Sequence, residues 1–208
     1  MNNDVHYKSL RVREDGFSWR DSMYSFDDVI SLYWFRKNTT VKMNFFKTHT
    51  LYDAWLKIFT QDGRKIEIHA HESDSIYAAV HEHICGTDTP KGACIHLREA
   101  YDVLANKTSP RRFNPYLSQL TEKRHFRYAS VEFWDDGRIA SGKKHFEISK
   151  CSVNRYPFCV TFSPSDKTQT GLLQRMWSGP TKIAVETTTD GDIFFALLLK
   201  VYGLRWDK

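Results

Sequence analysis

A chain of 208 residues and 24.4 kDa has room for one large compact domain or two small ones, and 41% hydrophobic residues, with six Trp and fourteen Phe, exclude a disordered polymer. The sequence has neither a basic start followed by an apolar run nor a stretch of about 18 apolar residues, so no secretory signal or membrane span is predicted and the expected setting is the cytoplasm. A net charge of +5 and a pI near 8.9 come from basic residues spread along the whole chain, a bias toward acidic surfaces without the clustered footprint of a nucleic-acid binder.

The first readable element is a hairpin within VREDGFSWRDSMYSFDDVISL (12–32), where Asp15-Gly16 separates two alternating strands and Phe26 precedes an acidic residue and a further short strand. In RKIEIHAHESDSIYAAVHEHICG (64–86), Ile66 and Ile68 alternate as in a strand, with His69 and His71 on the opposite face. The period then lengthens to that of a helix over about 74–85, and Gly86 stands where a left-handed C-cap belongs. Ile76, Ala79, Val80, His83 and Ile84 share one face of that helix, which predicts half-burial.

Residues 87–125 read as a connector. Leu97, Ala100, Tyr101 and Leu104 predict a helix over about 95–106 that docks on a domain, and NKTSPRRFNPY (106–116), with Pro110 and Pro115, is expected to be irregular.

After the connector the pattern returns. VEFWDDGRIASGKKHFEISKC (131–151) repeats strand, Asp136-Gly137 turn and strand, with Phe146 in the role of Phe26. TKIAVETTTDGDIFFALLLKVYG (181–203) lies over 64–86 without a gap, pairing Lys65 with Lys182, Ile66 with Ile183, Ile68 with Val185, Ile76 with Ile193, Ala79 with Ala196 and Gly86 with Gly203. The predicted second closing helix, about 191–202, is apolar nearly all round. Phe195, Leu198, Leu199 and Tyr202 on its outer face are expected to contact the other domain, the connector helix or a second molecule.

The resulting organisation is α+β: domain copies at 1–86 and 126–208, each a small antiparallel β-barrel or sandwich closed by a helix, joined by the connector 87–125. This order of strands and closing helix resembles the pleckstrin-homology-like (PH-like) superfold, twice over. The resemblance implies a non-catalytic binding or adaptor protein whose ligand is a protein, a peptide or a phosphoinositide. In lipid-binding members basic residues cluster about the first hairpin; Arg11, Arg13 and Arg20 in the first copy, and Arg138, Lys143 and Lys144 in the second, fall there. They do not reproduce the lipid-binding spacing, so a protein or peptide is the expected partner and the chain is read as a monomer or homodimer.

Two other chemistries are compatible with the residue types present. His69, His71, His81, Cys85, Cys94 and His96 supply ligand types for zinc, which would make the chain a metal-binding protein or a metal-dependent hydrolase. Their spacing is not that of established zinc modules, and no resident cofactor is expected. The cysteines, Cys85, Cys94, Cys151 and Cys159, are expected to be reduced. Arg111 and Arg112 with Phe113 and Tyr116, then Lys123, Arg124 and Arg127, interleave charge with aromatic rings, and with Lys143 and Lys144 they form a candidate surface for nucleic acid or acidic lipid headgroups.

Overall fold

The computed structural model describes residues 5–43, 47–73, 92–165 and 182–204. The helix expected at about 74–85 lies outside them. Two compact units divide the chain, residues 1–110 and 111–208.

In the first unit a four-stranded antiparallel meander, β1 (Val5–Tyr7), β2 (Leu10–Val12), β3 (Gly16–Trp19) and β4 (Ser22–Ser25), leads through a short 3-10 helix (Phe26–Asp28) into a three-stranded one. The latter comprises β5 (Val29–Met43), β6 (Lys47–Thr60) and β7 (Lys65–Ser73). The second unit repeats that order: β8 (His125–Tyr128), β9 (Val131–Trp134), β10 (Arg138–Ser141) and β11 (Lys144–Glu147), a 3-10 helix (Ile148–Lys150), then β12 (Cys151–Arg155), β13 (Cys159–Pro164) and β14 (Ile183–Glu186). Helix α1 (Ala93–Lys123) precedes β8 and α2 (Gly191–Tyr202) follows β14. The fold is thus α+β with antiparallel sheets, but the sheets are separate four- and three-stranded layers and none closes into the barrel that the sequence admitted.

Local chemistry explains the short strands. The outer hairpins of each meander have two-residue turns whose leading residue is left-handed: Lys8 (φ 53°) and Arg20 (φ 55°) in one unit, Ala129 (φ 51°) and Gly142 (φ 58°) in the other. Such turns match the twist of the flanking strands. In the Asp136-Gly137 turn the glycine takes a φ of 88°, whereas Gly16 already belongs to β3 and is small for another reason: a Cβ there would run into the Tyr24 carbonyl oxygen. The strand pairing also moves the expected match of Phe26 with Phe146. Phe146 is the third residue of edge strand β11, as Tyr24 is of β4, while Phe26 opens the 3-10 helix as Ile148 does.

Alternation assigns the faces. In the first unit Tyr7, Leu10, Val12 and Phe17 from one sheet and Leu32, Leu56, Ile58, Ile66 and Ile68 from the other are buried together with Leu97, Ala100, Tyr101 and Leu104 of α1. In the second, Phe126, Phe133, Ile139, Phe162, Ile183 and Val185 share a core with Ile193, Phe194, Leu197 and Leu198 of α2, and Phe113, Tyr116, Leu117 and Leu120 of α1 pack against it.

Helix α1 overturns the expected irregular stretch. It spans 31 residues and runs through Pro110 and Pro115, although an interior proline costs about 3 kcal/mol through a lost hydrogen bond and a steric clash. Apolar side chains, fully buried before Pro110 and partly buried after it, offset that cost, each fully buried large one contributing about 1.5–3 kcal/mol. Beyond Pro110 the helix is also anchored by charge. Arg112, read from sequence as an exposed ligand for acidic partners, has a fully buried side chain, with Nη1 2.6 Å from Asp190 Oδ1 and Nη2 2.6 Å from Asp192 Oδ2. Burial alone would lower its pKa, but hydrogen bonds and attraction from Asp192 and Asp190 outweigh that and keep the guanidinium charged. The sequence placed Arg112 in a solvated run because its partners lie 78 and 80 residues away.

Removing one member of a buried ionic set leaves the others uncompensated. Arg112→Ala is therefore expected to destabilise the second unit by about 3–5 kcal/mol in urea unfolding. The combined Arg112→Met, Asp190→Asn, Asp192→Asn protein should lose less than the single variant does.

Candidate functional site

The second unit has a cleft of about 690 Å³ lined by Trp134, Arg138, His145, Phe146, Glu147, Lys150, Cys151 and Pro164. Its position follows from the β10–β11 hairpin. Ser141 faces Lys144 across the two-residue turn, so successive pairs are Ala140 with His145, Ile139 with Phe146 and Arg138 with Glu147. In such a hairpin the closing pair exchanges hydrogen bonds and the pairs then alternate. Two steps beyond Phe146 the Ile148 N–H donates to the Gly137 carbonyl at 2.8 Å, in phase with that alternation. The backbone N–H and C=O of His145 and the N–H of Glu147 therefore point away from β10, while the Glu147 carbonyl, at the cap of the 3-10 helix, takes that helix's first hydrogen bond. On that side β11 is, among the described residues, the edge of its sheet.

Side chains alternate about the same strand. Phe146 continues the row Phe126, Phe133 and Ile139 and packs on the core. On the opposite face His125 lies across from Trp134 and Arg138 from Glu147, and the Arg138 guanidinium sits 5.4 Å from the Trp134 ring centre. Among the lining residues Arg138, His145 and Lys150 can carry positive charge and Glu147 alone is acidic. Lys150 Nζ holds Glu147 at 2.7 Å, and Arg138 Nε reaches Asp136 at 2.8 Å. Among the described residues the cleft thus offers outward backbone groups of a sheet edge, an apolar floor of Phe146 and Cys151, and cationic side chains at its rim.

The first unit has a smaller opening, about 400 Å³, beside its own edge strand β4, lined by Ser22, Met23, Tyr24, Asp28, Asp62 and Arg64. Its charges are satisfied internally: Arg64 pairs with Asp62 at 2.9 Å and donates to the Tyr24 hydroxyl, and Asp28 accepts from the Ser25 N–H in a capping box.

The histidine and cysteine residues proposed for a metal separate. His69 and His71 stand on the outer face of β7, where His69 Nε2 and His71 Nδ1 lie 3.0 and 2.9 Å from one atom, Asp53 Oδ1 on β6. His69 also stacks on Trp55, which contacts Phe35, so the ring row Phe35, Trp55, His69 crosses all three strands. Cys94 lies on the other face, buried in the core and directed at the carbonyls of Tyr52 and Ala70. Burial, with Glu72 nearby, pushes its thiol up to about 11, which disfavours the thiolate that a metal needs. His96 is exposed at the start of α1 beside Glu99, at 3.3 Å. The sheet therefore stands between His69 and His71 and the thiol. His81 and Cys85 lie outside the described residues. Cys94, Cys151 and Cys159 form no disulfide.

Of the residues expected at an interface, Leu198 is fully buried in the second unit's own core and Tyr202 donates a hydrogen bond to the Trp134 carbonyl at 2.7 Å. Phe195 is half-buried under the Arg155 guanidinium and Leu199 is exposed. Arg111, Lys123, Arg124, Arg127, Lys143 and Lys144 are exposed; Arg124 pairs with Asp135, and Lys144 Nζ reaches the Lys182 carbonyl. No helix of the described residues is long and apolar enough to cross a membrane.

Sequence reading missed Asp53 and, in the cleft, Trp134, His145, Phe146, Lys150, Cys151 and Pro164. A weak signal existed in KKHFEISK, where Phe146 is flanked by charge on both sides.

Asp53 supplies a pH test. Burial would raise its carboxyl, but hydrogen bonds from His71 and His69 outweigh that and hold its pKa below the ordinary value of 3.8. A depressed folded-state pKa stabilises fully above the unfolded value and is lost as pH falls through the folded one. The melting-temperature gap between the protein and Asp53→Asn should be open at pH 7 and shrink as pH drops below about 4; a gap independent of pH would show that the carboxylate adds nothing.

Comparison with protein-family models, with curated proteins and with solved structures gives no match for this chain.

Proposed function

We propose that the chain is a non-catalytic binding protein of the cytoplasm built from two PH-like units, and that the cleft beside β11 holds a segment of a partner protein. Support for the PH-like reading comes from the order of elements in the second unit, four strands, three strands and a closing helix, and from the same seven-strand order in the first. A shared ancestry of the units fits the gapless pairing of 64–86 with 181–203.

The observation that carries the binding reading is the edge strand. Exposed edges are a liability that proteins blunt, and β11 is short and flanked by lysines as such edges are. Here the edge also adjoins a concave apolar surface, and that combination is the one extended peptides use, with backbone hydrogen bonds for affinity and side-chain recesses for selectivity. A protein partner suits a mixed apolar and charged lining better than a polyanion does, because Phe146, Cys151 and Pro164 offer nothing to phosphate.

Selection of a displayed random peptide library on the full chain tests this. Binders are expected to lose at least tenfold in affinity on Cys151→Trp, which fills the cleft, and to be unaffected by Arg127→Glu on the remote strand β8. Binders indifferent to Cys151→Trp would refute the site.

A further inference from the structure

Resting on that reading, we infer that the segment bound beside β11 is an extended one in which acidic and apolar residues alternate, added as a fifth strand to the sheet β11-β10-β9-β8. The argument joins three features of one place. His145 directs its N–H and C=O, and Glu147 its N–H, outward from the sheet edge, so an added strand finds ladder partners at alternate residues, both groups at His145 and a donor at Glu147. Side chains of such a strand alternate between the two faces. Those on the core side meet Phe146, Cys151 and Pro164, while those on the opposite side meet Arg138 and His145, with Lys150 at the rim.

Charge selects the second set. Lys143, exposed at the hairpin turn, adds to Arg138 and Lys150, and the one lining carboxylate, Glu147, is already held by Lys150. Arg138 meets Asp136 through Nε, and its guanidinium has further donors, so a second carboxylate can be accommodated without breaking the existing pair. The corresponding opening of the first unit carries Asp28 and Asp62, and its edge strand Ser22–Ser25 has no lysine. Acidic segments are repelled there, so the preference belongs to the second unit.

The probe is the labelled pentapeptide acetyl-Glu-Phe-Asp-Phe-Glu-amide, titrated with the full chain by fluorescence anisotropy. Binding is expected, weakened at least tenfold in Arg138→Glu/Lys150→Glu and likewise in the independent pair Lys143→Glu/His145→Glu, with folding of each variant checked by circular dichroism. N-methylation of the peptide at alternate amides should also weaken it at least tenfold, an arm that leaves the protein untouched. Equal binding of the N-methylated peptide, or equal competition by an oligothymidylate, would overturn the added strand in favour of unspecific polyanion binding. If the pentapeptide fails while acetyl-Lys-Phe-Lys-Phe-Lys-amide or a neutral peptide binds and is displaced by Cys151→Trp, the acidic preference is wrong and the cleft stands. If no peptide responds to Cys151→Trp, both fall.

Discussion

Every sheet in this protein is apolar on one face, and that single constraint organises the rest. Side chains alternate with a period of two, so Ile66, Ile68 and Ala70 turn inward while Glu67, His69 and His71 turn outward. Slipping the register by one residue would put the histidines in the core and the isoleucines in water. Within each unit the inward faces of a four-stranded and a three-stranded sheet are buried together with helical side chains. Because the sheets of the described residues do not close on themselves, each keeps edges.

Helix α1 shows how tertiary burial overrides local preference. Its two prolines oppose helix formation, yet Leu97, Ala100, Tyr101 and Leu104 before them, Phe113 between them and Tyr116, Leu117 and Leu120 after them are part of a core or packed against one. The Arg112 set then ties the latter part of α1 to the start of α2, where the carboxylates of Asp190 and Asp192 also sit favourably at the positive end of that helix. A buried guanidinium is costly unless it is fully partnered, so this arrangement specifies how the two elements meet as much as it stabilises them.

The outer face of β5–β7 carries a different logic from the cleft beside β11. Phe35, Trp55 and His69 use their ring faces on one another, Lys57 pairs with Glu67 and lies over Tyr33, and Asp53 gathers both histidines. That face satisfies its own chemistry. Beside β11 the backbone of the edge is turned outward and basic side chains outnumber acidic ones among the lining residues, so the two surfaces differ in how far their groups are satisfied.

Patterns with a short period were legible in the amino-acid order: the alternation of 65–71, the Asp136-Gly137 turn, the helix at 191–202 and the left-handed glycine, Gly203 (φ 66°), that ends it. These are decided within a few residues, where backbone sterics and the spacing of apolar side chains suffice. The burial of Arg112, the meeting of His69 and His71 on Asp53 rather than with Cys94, and the recess between Phe146, Cys151 and Pro164 depend on partners far away in sequence or on the opposite side of a sheet. No local spacing encodes them. They exist because one-sided sheets and their helices must be buried together, and that packing alone decides which distant side chains become neighbours.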